Sequence, residues 1–482
     1  MDAAELCYLP AVELRDKYRS REISPVEVTM AVLERIERLN PALNAYVTLT
    51  PEMALEQARE AERMYREDDD PPLLAGVPLS IKDNVAVKGV RTTHGSLLHE
   101  HDVPDANPVF VERLLVAGGV LLGKTNLPES GWKGETTNRL FGSTHNPWQL
   151  GMTAGGSSGG AGAAVAAGLG QFGQGGDGAG SIRIPASFCG IYGIKPSFAR
   201  VPSPAGTPLT HMSHPGPMTR TVRDAALMLD VMAGPSPIDR YSLERHASFL
   251  SELEGNVRGL RLAWSPNLGY AEVDPEIAEI TKRAALRFTE LGCEVEEVNP
   301  PMADPWPIAE VFFSLSYTLS AEELRERREL IDPGRLPMQE KILSWSAVDV
   351  VNAMAARETY WQQMREFMAG YHLLLTPAMP ITAFPAGQHA PTEINGKAMD
   401  WLGWTGFAYP FNLTGQPAAS IPCGFASNGL PVGLQIVGRW RDDAAVLKAS
   451  AAFESLQPWA QARPLLDYPR AASSPLVDNP IP

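Results

Sequence analysis

Apolar side chains recur at mixed three- and four-residue spacing near the start of the chain, at Val12, Leu14 and Tyr18 and then at Val28, Met30, Val32, Leu33 and Ile36. That spacing predicts helices over residues 11–66. Ser24-Pro25-Val26-Glu27 supplies an N-cap, a proline at the first helical position and a glutamate at the third. From Leu74 the texture changes to short apolar runs between glycines and prolines, as in Val77-Pro78-Leu79-Ser80-Ile81-Lys82 and Gly119-Val120-Leu121-Leu122-Gly123. These read as buried strands, alternating with helices over 108–117 and 221–233.

Thirteen of the thirty residues from Gly151 to Gly180 are glycine, and Asp177 carries the only charge among them. So much glycine implies special dihedral angles or close backbone approach. Ala161 to Leu169 can form one helix between two glycine loops, and its alanines, with the following Ser181-Ile182-Arg183-Ile184-Pro185, argue against a flexible linker. Residues 235–405 are less regular. Strands are expected at Leu260–Trp264 and Cys293–Val298, a helix over 275–290, and further helices to about Phe367. The aromatic residues Trp306, Phe312, Phe313, Tyr317, Trp345, Tyr360, Trp361, Trp401, Trp404 and Phe407 fall in the second part of this segment. Most are expected to fill core, although such side chains can also wall an apolar pocket. Strands return at Ser420–Pro422 and Gly433–Val437, followed by a helix, and no internal repeat is visible.

Length and composition describe a sizeable globular chain: 482 residues, 44% hydrophobic, with 42 glycines and 42 prolines. A net charge of −15 opposes phosphate backbones and anionic lipid surfaces, so neither nucleic acid nor a membrane is an expected partner. The N-terminus Met1-Asp2-Ala3-Ala4-Glu5 lacks the pattern of a signal peptide and no long apolar run appears, so a cytoplasmic location is expected. Cys7, Cys189, Cys293 and Cys423 are scattered, as expected of buried thiols rather than a disulfide or zinc framework. The close histidine pairs His99/His101 and His211/His214 lack further ligands at metal spacing, so no metal is expected.

Three short motifs match patterns of known chemistry and fail on context. Gly118 to Thr125 fits a phosphate-binding loop, but its interior reads as a strand. Gly156-Ser157-Ser158-Gly159-Gly160 fits a nucleophile elbow centred on Ser158, but Met152-Thr153-Ala154-Gly155 is a poor strand to lead into it. Ser130 and Lys133 have penicillin-binding spacing, with Gly131 a poor opening for the helix they would need.

A longer ordered set survives. Gly155-Gly156-Ser157-Ser158-Gly159-Gly160, Asp177-Gly178-Ala179-Gly180-Ser181-Ile182-Arg183-Ile184-Pro185-Ala186, Phe188-Cys189-Gly190 and Gly193-Ile194-Lys195-Pro196 resemble the amidase signature. Gly76-Val77-Pro78, Lys82-Asp83-Asn84, Gly123-Lys124-Thr125-Asn126, Phe141-Gly142, Asn146-Pro147-Trp148, Gly216-Pro217-Met218, Arg220-Thr221-Val222 and Gly415-Gln416-Pro417-Ala418 extend the resemblance over most of the chain. It implies an α/β fold, a large, mostly parallel mixed sheet covered by helices on both faces. We treat the chain as one domain: a helical flank (1–66), a signature core (67–234), a variable pocket segment (235–405) and a return to the core (406–482).

The resemblance also implies a Ser–cisSer–Lys unit, with Ser181 as nucleophile, Ser157 as the bridging serine after a cis peptide, and Lys82 as the base. A lysine serves as base only where burial or a nearby cation favours its neutral form, and Lys82 follows an apolar run. Taken alone, its neighbour Asp83 suggests mere charge neutralisation. The backbone of Gly178, Ala179, Gly180 and Ser181 is expected to supply oxyanion donors. Gly178 and Ala179 replace the threonine and glycine of the common pattern, and Ala179 would resist a positive φ. Asp177 and Arg183 read as structural partners of this loop. Gly131 and Trp132 map to the substrate wall, with ordinary core the alternative for Trp132. His372, where relatives often carry aspartate, has no functional reading.

The implied reaction is hydrolysis of a carboxylic amide through an acyl-enzyme, without metal or organic cofactor. The aromatic segment favours an apolar or aromatic substrate. The alternatives are a carbamate, ester, or linear or cyclic oligoamide on the same machinery; the amidase subunit of a glutamine-dependent amidotransferase; and a non-catalytic binding protein. Ile184-Pro185-Ala186 stands where those subunits usually carry Gln-Pro-Ala. A monomer or homodimer is expected.

Overall fold

In the computed structural model, which describes residues 2–68, 70–203 and 212–466, eleven strands join into one mixed sheet. In chain order they are β1 (Tyr46–Leu49), β2 (Pro78–Lys82), β3 (Val120–Thr125), β4 (Phe172–Asp177), β5 (Tyr192–Lys195), β6 (His214–Thr219), β7 (Arg261–Trp264), β8 (Glu294–Glu297), β9 (Leu373–Pro377), β10 (Ala418–Phe425) and β11 (Pro431–Gly438). Across the sheet they run β1-β3-β2-β4-β6-β5-β10-β11-β9-β7-β8. The mixed sheet and its helical cover match the expected class, but parallel pairing does not predominate. It is confined to β3-β2-β4 and β9-β7-β8, four pairings against six antiparallel ones. Strand direction is set by the connections, such as the short turn from β10 to β11, and an apolar run bounded by glycine carries no record of it.

Alternation along the strands divides the interior. On β3, Leu121 joins a core with Leu79, Ile81, Phe172, Tyr192 and Ile436, roofed by the helices Val222–Met232, Pro275–Leu286 and Asp443–Leu456. Val120 and Leu122 point the other way, into a core shared with the helices Pro25–Leu43 and Gly159–Ala166. The cap read from Ser24 is present, its side chain accepting from the Glu27 N–H.

The chain departs from the expected pattern in two places. Residues 11–66 are not helical throughout: Asn44, in the left-handed conformation, ends the helix Pro25–Leu43, and β1 then pairs antiparallel with β3 at the sheet edge. The second glycine loop is also absent. Phe172–Asp177 is a buried strand between β2 and β6, while the helix before it spans Gly159–Ala166. Glycine serves here to let the helix approach. A β-carbon at Gly173 would sit 3.2 Å from both Ala161 Cβ and Val165 Cγ2.

Gly173→Val places two further carbons in that contact. Overpacking of this kind is expected to remove about 2–3 kcal/mol of stability, read from the midpoint of urea unfolding at unchanged m-value. An unshifted midpoint would show that the helix is free to back away from the strand.

Candidate active site

β2 and β4 run parallel, with Ile81 opposite Gln174, so their carboxyl ends open at the same edge of the sheet. Such edges are where crevices form in open α/β sheets. β2 ends at Lys82, whose backbone N–H donates to Gln174 Oε1 at 3.3 Å. β4 ends at Asp177, after which the chain turns through Gly178 to Ser181 and enters the helix Arg183–Cys189.

Lys82 is 1% exposed and its Nζ lies 2.7 Å from Ser157 Oγ. Burial pushes its pKa down to about 7, although the negative charge of Asp177 pulls the other way. Asp83 does not neutralise it. Asp83, the residue after the end of β2, has its carboxylate 3.4 Å from Lys124 Nζ and accepts from the Thr93 N–H. Lys124 also donates to Val85 O and to Thr92 Oγ1, each at 2.7 Å. The would-be phosphate-binding lysine is thus the buried partner of Asp83, on strand β3.

Ser157 follows a cis Gly156–Ser157 peptide. Thr136 brackets this loop, donating to Gly155 O at 2.8 Å and accepting from the Gly159 N–H at 3.2 Å. Ser158 ties the loop to β4. Its N–H donates to Ser181 O at 3.2 Å, and its hydroxyl meets the backbone N–H and C=O of Gly176 at 3.3 and 3.4 Å. The short strand Gln149–Thr153 ahead of it pairs with His145–Asn146 in a two-stranded ribbon and bridges to Pro385 at Met152, outside the large sheet. Ser130 and Lys133 share no helix face: Ser130 has a positive φ, and Lys133 pairs with Glu135 at 3.1 Å.

The turn after β4 is organised by the Asp177 carboxylate. It accepts from the N–H groups of Gly180 at 2.8 Å and Ile182 at 3.2 Å, and from Arg183 Nε and Nη2 at 2.9 Å each. Burial opposes its ionisation, but the Arg183 guanidinium holds the carboxyl well below the usual range. Arg183 also donates to Ala408 O, Gln435 and Asn412. Gly180 therefore differs from its neighbours in the oxyanion reading, because its N–H is already held by Asp177. Among the described residues no protein acceptor takes the N–H of Gly178, Ala179 or Ser181. Ala179 is not forced into a positive φ, since Gly180 takes it, at +112°.

Lys82, Ser157 and Ser181 line one cavity of about 70 Å³, together with Asn84, Gly176 and Gly178. Among the described residues no hydrogen bond joins the two serine hydroxyls directly; catalytic contacts often tighten only when substrate is bound. The opposite wall is formed by Met212, Ser213, Phe313, Ser316 and Tyr317. Phe313 and Tyr317 lie in the aromatic segment noted from the sequence, though nothing there set them apart from their neighbours, and Met212, Ser213 and Ser316 gave no signal.

Gly131 borders the site: a β-carbon there would sit 3.1 Å from Ser157 Oγ. Trp132 does not line the cavity. It is buried against His389 and Trp401 and donates to Asp332 at 3.4 Å. Trp404 and Phe407 are core, as most of the aromatic set was expected to be. All four cysteines are buried and free. His214 Nδ1 faces the carbonyls of Met212 and Asp177, His99 pairs with Asp102, and His211 lies outside the described residues. His372 Nδ1 accepts the Arg261 N–H at 3.0 Å, a structural tie between β7 and β9. No helix among the described residues is long and apolar enough to cross a membrane.

The chain has relatives among known proteins. The amidase family model matches residues 27–447. An acylamidase from Rhodococcus erythropolis is 42% identical over 96% of this chain and 98% of its own length. A glutamyl-tRNA(Gln) amidotransferase subunit from Moorella thermoacetica is 36% identical over 96% of this chain and 99% of its own. Among solved structures, a bacterial aryl acylamidase of the amidase signature family superposes with a TM-score of 0.89 at 34% identity, covering 94% of this chain and 97% of that one. A 6-aminohexanoate cyclic dimer hydrolase gives 0.85 at 30% identity, covering 95% and 99%.

Asp177→Asn would leave the Arg183 guanidinium buried without its counter-charge. A loss of about 3–5 kcal/mol is expected, measured by denaturant unfolding. A loss below about 1 kcal/mol would mean that Asn412, Gln435 and the Ala408 carbonyl suffice to hold Arg183.

Proposed function

The chain belongs to the amidase family, and we propose that it cleaves the C–N bond of amides bearing an apolar or aromatic group, through an acyl-enzyme on Ser181. The observation that carries this reading is the 2.7 Å contact between the Lys82 amine and the Ser157 hydroxyl, in the cavity that Ser181 shares. In the proposed cycle Ser181 Oγ attacks the carbonyl carbon while its proton passes to Ser157, whose own proton moves to Lys82. The oxyanion is met by the N–H groups of Ala179 and Ser181, with Gly178 beside them, while Gly180 holds the turn through Asp177. Lys82 then returns a proton through Ser157 to the amine nitrogen, the C–N bond breaks, and an ester on Ser181 remains. Water attacks that ester with the same relay, releasing the acid and restoring the hydroxyl. The proton and electron balance closes without a metal or organic cofactor.

Two things support the substrate class: the aromatic wall of Phe313 and Tyr317, and the likeness to an acylamidase and an aryl acylamidase. Gly131 borders the same wall beside Ser157, with Trp132 packed behind it. The machinery applies equally to carbamates, esters and linear or cyclic oligoamides, which a substrate panel separates. A second reading, as part of an amidotransferase, is favoured by the relatives of that name. The Ile184-Pro185-Ala186 sequence after Ser-Ile-Arg speaks against it, and hydrolysis of an amide to free acid by the chain purified alone would exclude it.

A fluorophosphonate is expected to label Ser181, with the adduct located by peptide mass spectrometry and lost in Lys82→Ala. An adduct on Ser158 instead would overturn the assignment. Because Lys82 must be neutral to accept a proton, kcat/KM is expected to rise about tenfold per pH unit below pH 7 and level off above it. Lys82→Ala should lower the plateau by at least about 100-fold. A profile flat from pH 5.5 to 8.5, or one unaltered in shape by the substitution, would remove Lys82 from the role of base.

A further inference from the structure

Gly176 and Gly178 are two residues apart at the end of β4 and both line the cavity with Ser181. Neither has a positive φ, so neither position needs glycine for its backbone conformation. What glycine provides there is space. A β-carbon at Gly178 would come 3.7 Å from Phe313 Cε2, an ordinary contact at that end of the cavity, whereas one at Gly176 would meet nothing within 4 Å among the described residues. The bare peptide of Gly176 is therefore an open floor, and Phe313, resting over Gly178, is the wall beside it.

That wall is fixed in place. The Phe313 and Tyr317 rings lie 4.8 Å apart, and Phe313 also packs on Trp401 at 5.9 Å. The Tyr317 hydroxyl donates to Gly131 O at 3.0 Å, and its carbonyl accepts from Gln339 at 2.9 Å and Arg335 at 3.2 Å. A floor without side chains beside a rigid ring suits a flat apolar group better than a branched one, because a planar ring can lie on the peptide and meet the aromatic edge.

We infer that Gly176 is a specificity-determining residue: it is the floor of a slot that seats a planar aryl group of the substrate, with Phe313 as the side wall. The inference rests on the reading of the site as an amide hydrolase acting through Ser181, and names the shape of group it selects.

Gly176→Val fills the floor with a residue suited to a strand. The Ser158 contacts there are made to the backbone, so they do not depend on the side chain. Wild type and variant are compared on benzamide against acetamide, and on acetanilide against N-methylacetamide, so that the aryl group is on the acyl side in one series and on the amine side in the other. The expected result is a fall of at least tenfold in the aryl-to-small ratio of kcat/KM in one series, which identifies the side the slot serves. A loss common to both substrates cancels in the ratio. In that same series Phe313→Ala should raise the ratio of 2-naphthyl to phenyl substrate at least fivefold. Ratios unchanged in both series would overturn the slot. Methyl fluorophosphonate labelling separates the two levels: a labelled Ser181 with unchanged ratios removes the slot alone, whereas a wild type that neither labels nor hydrolyses any of the four amides removes the hydrolase reading beneath it.

Discussion

The buried Asp177–Arg183 pair, at 2.9 Å and with both side chains fully enclosed, is the interaction on which the rest of the site depends. Removing two charges from water costs several kcal/mol per ion, so such a pair persists only where the remaining polar atoms are satisfied. Here they are. The carboxylate takes the N–H groups of Gly180 and Ile182, Asn412 donates to it at 3.0 Å, and Arg183 reaches carbonyl and side-chain acceptors on the far side. The outcome is a turn whose shape is set from its inner side. Asp177 draws in the Gly180 N–H and leaves those of Gly178, Ala179 and Ser181 without protein acceptors among the described residues, the arrangement an oxyanion would need.

The same pair governs Lys82. A bare carboxylate near a buried lysine would keep it charged, and Asp177 does pull in that direction, but desolvation wins and the amine falls to about 7. Asp177 itself is held by Arg183 rather than by the lysine. The second acid within reach in sequence, Asp83, just past the end of β2, is committed to Lys124. Two buried ion pairs thus frame the buried Lys82 amine, which has no carboxylate in contact among the described residues and which meets Ser157.

That certain polar residues meet at one place was legible in the sequence because motif positions rest on residue identity. Lys82, Ser157 and Ser181 are ordered motif positions, and the structure brings all three to one cavity. The structural partnership of Asp177 with Arg183 was legible for the same reason. Geometry without an identity signal was not. β4 reads as loop because its six residues include three glycines, yet Gly173 is there to admit the helix Gly159–Ala166. The strand Tyr46–Leu49 was hidden between two strong helices, and a lone short edge strand has no period to display. The mixed sheet came with the resemblance, and the balance of its strand directions was not legible because apolar runs carry no polarity. Trp132 and Phe313 show the limit most clearly. Both are aromatic and nearly buried, and only the fold decides that Trp132 packs behind the wall while Phe313 forms it.

That decision is made by the attachments of the segment that carries Phe313 and Tyr317. Arg335, 2% exposed, is hydrogen-bonded to the equally buried Glu129, whose other oxygen accepts the Asp332 N–H at 2.9 Å; Asp332 in turn receives the Trp132 indole. Tyr317 closes the circuit on Gly131, beside Ser157. One side of the cavity therefore belongs to the sheet, with its dihedral angles and charges set by strand ends, and the other is held to it by a small number of buried polar contacts. Substitutions among side chains that point into the cavity from the second side can alter its shape without disturbing the first, provided the Arg335–Glu129 anchor remains. A fold built this way can change the group it accepts while keeping the same Lys–Ser contact, which is why function in such a protein has to be read from the wall as well as from the motif.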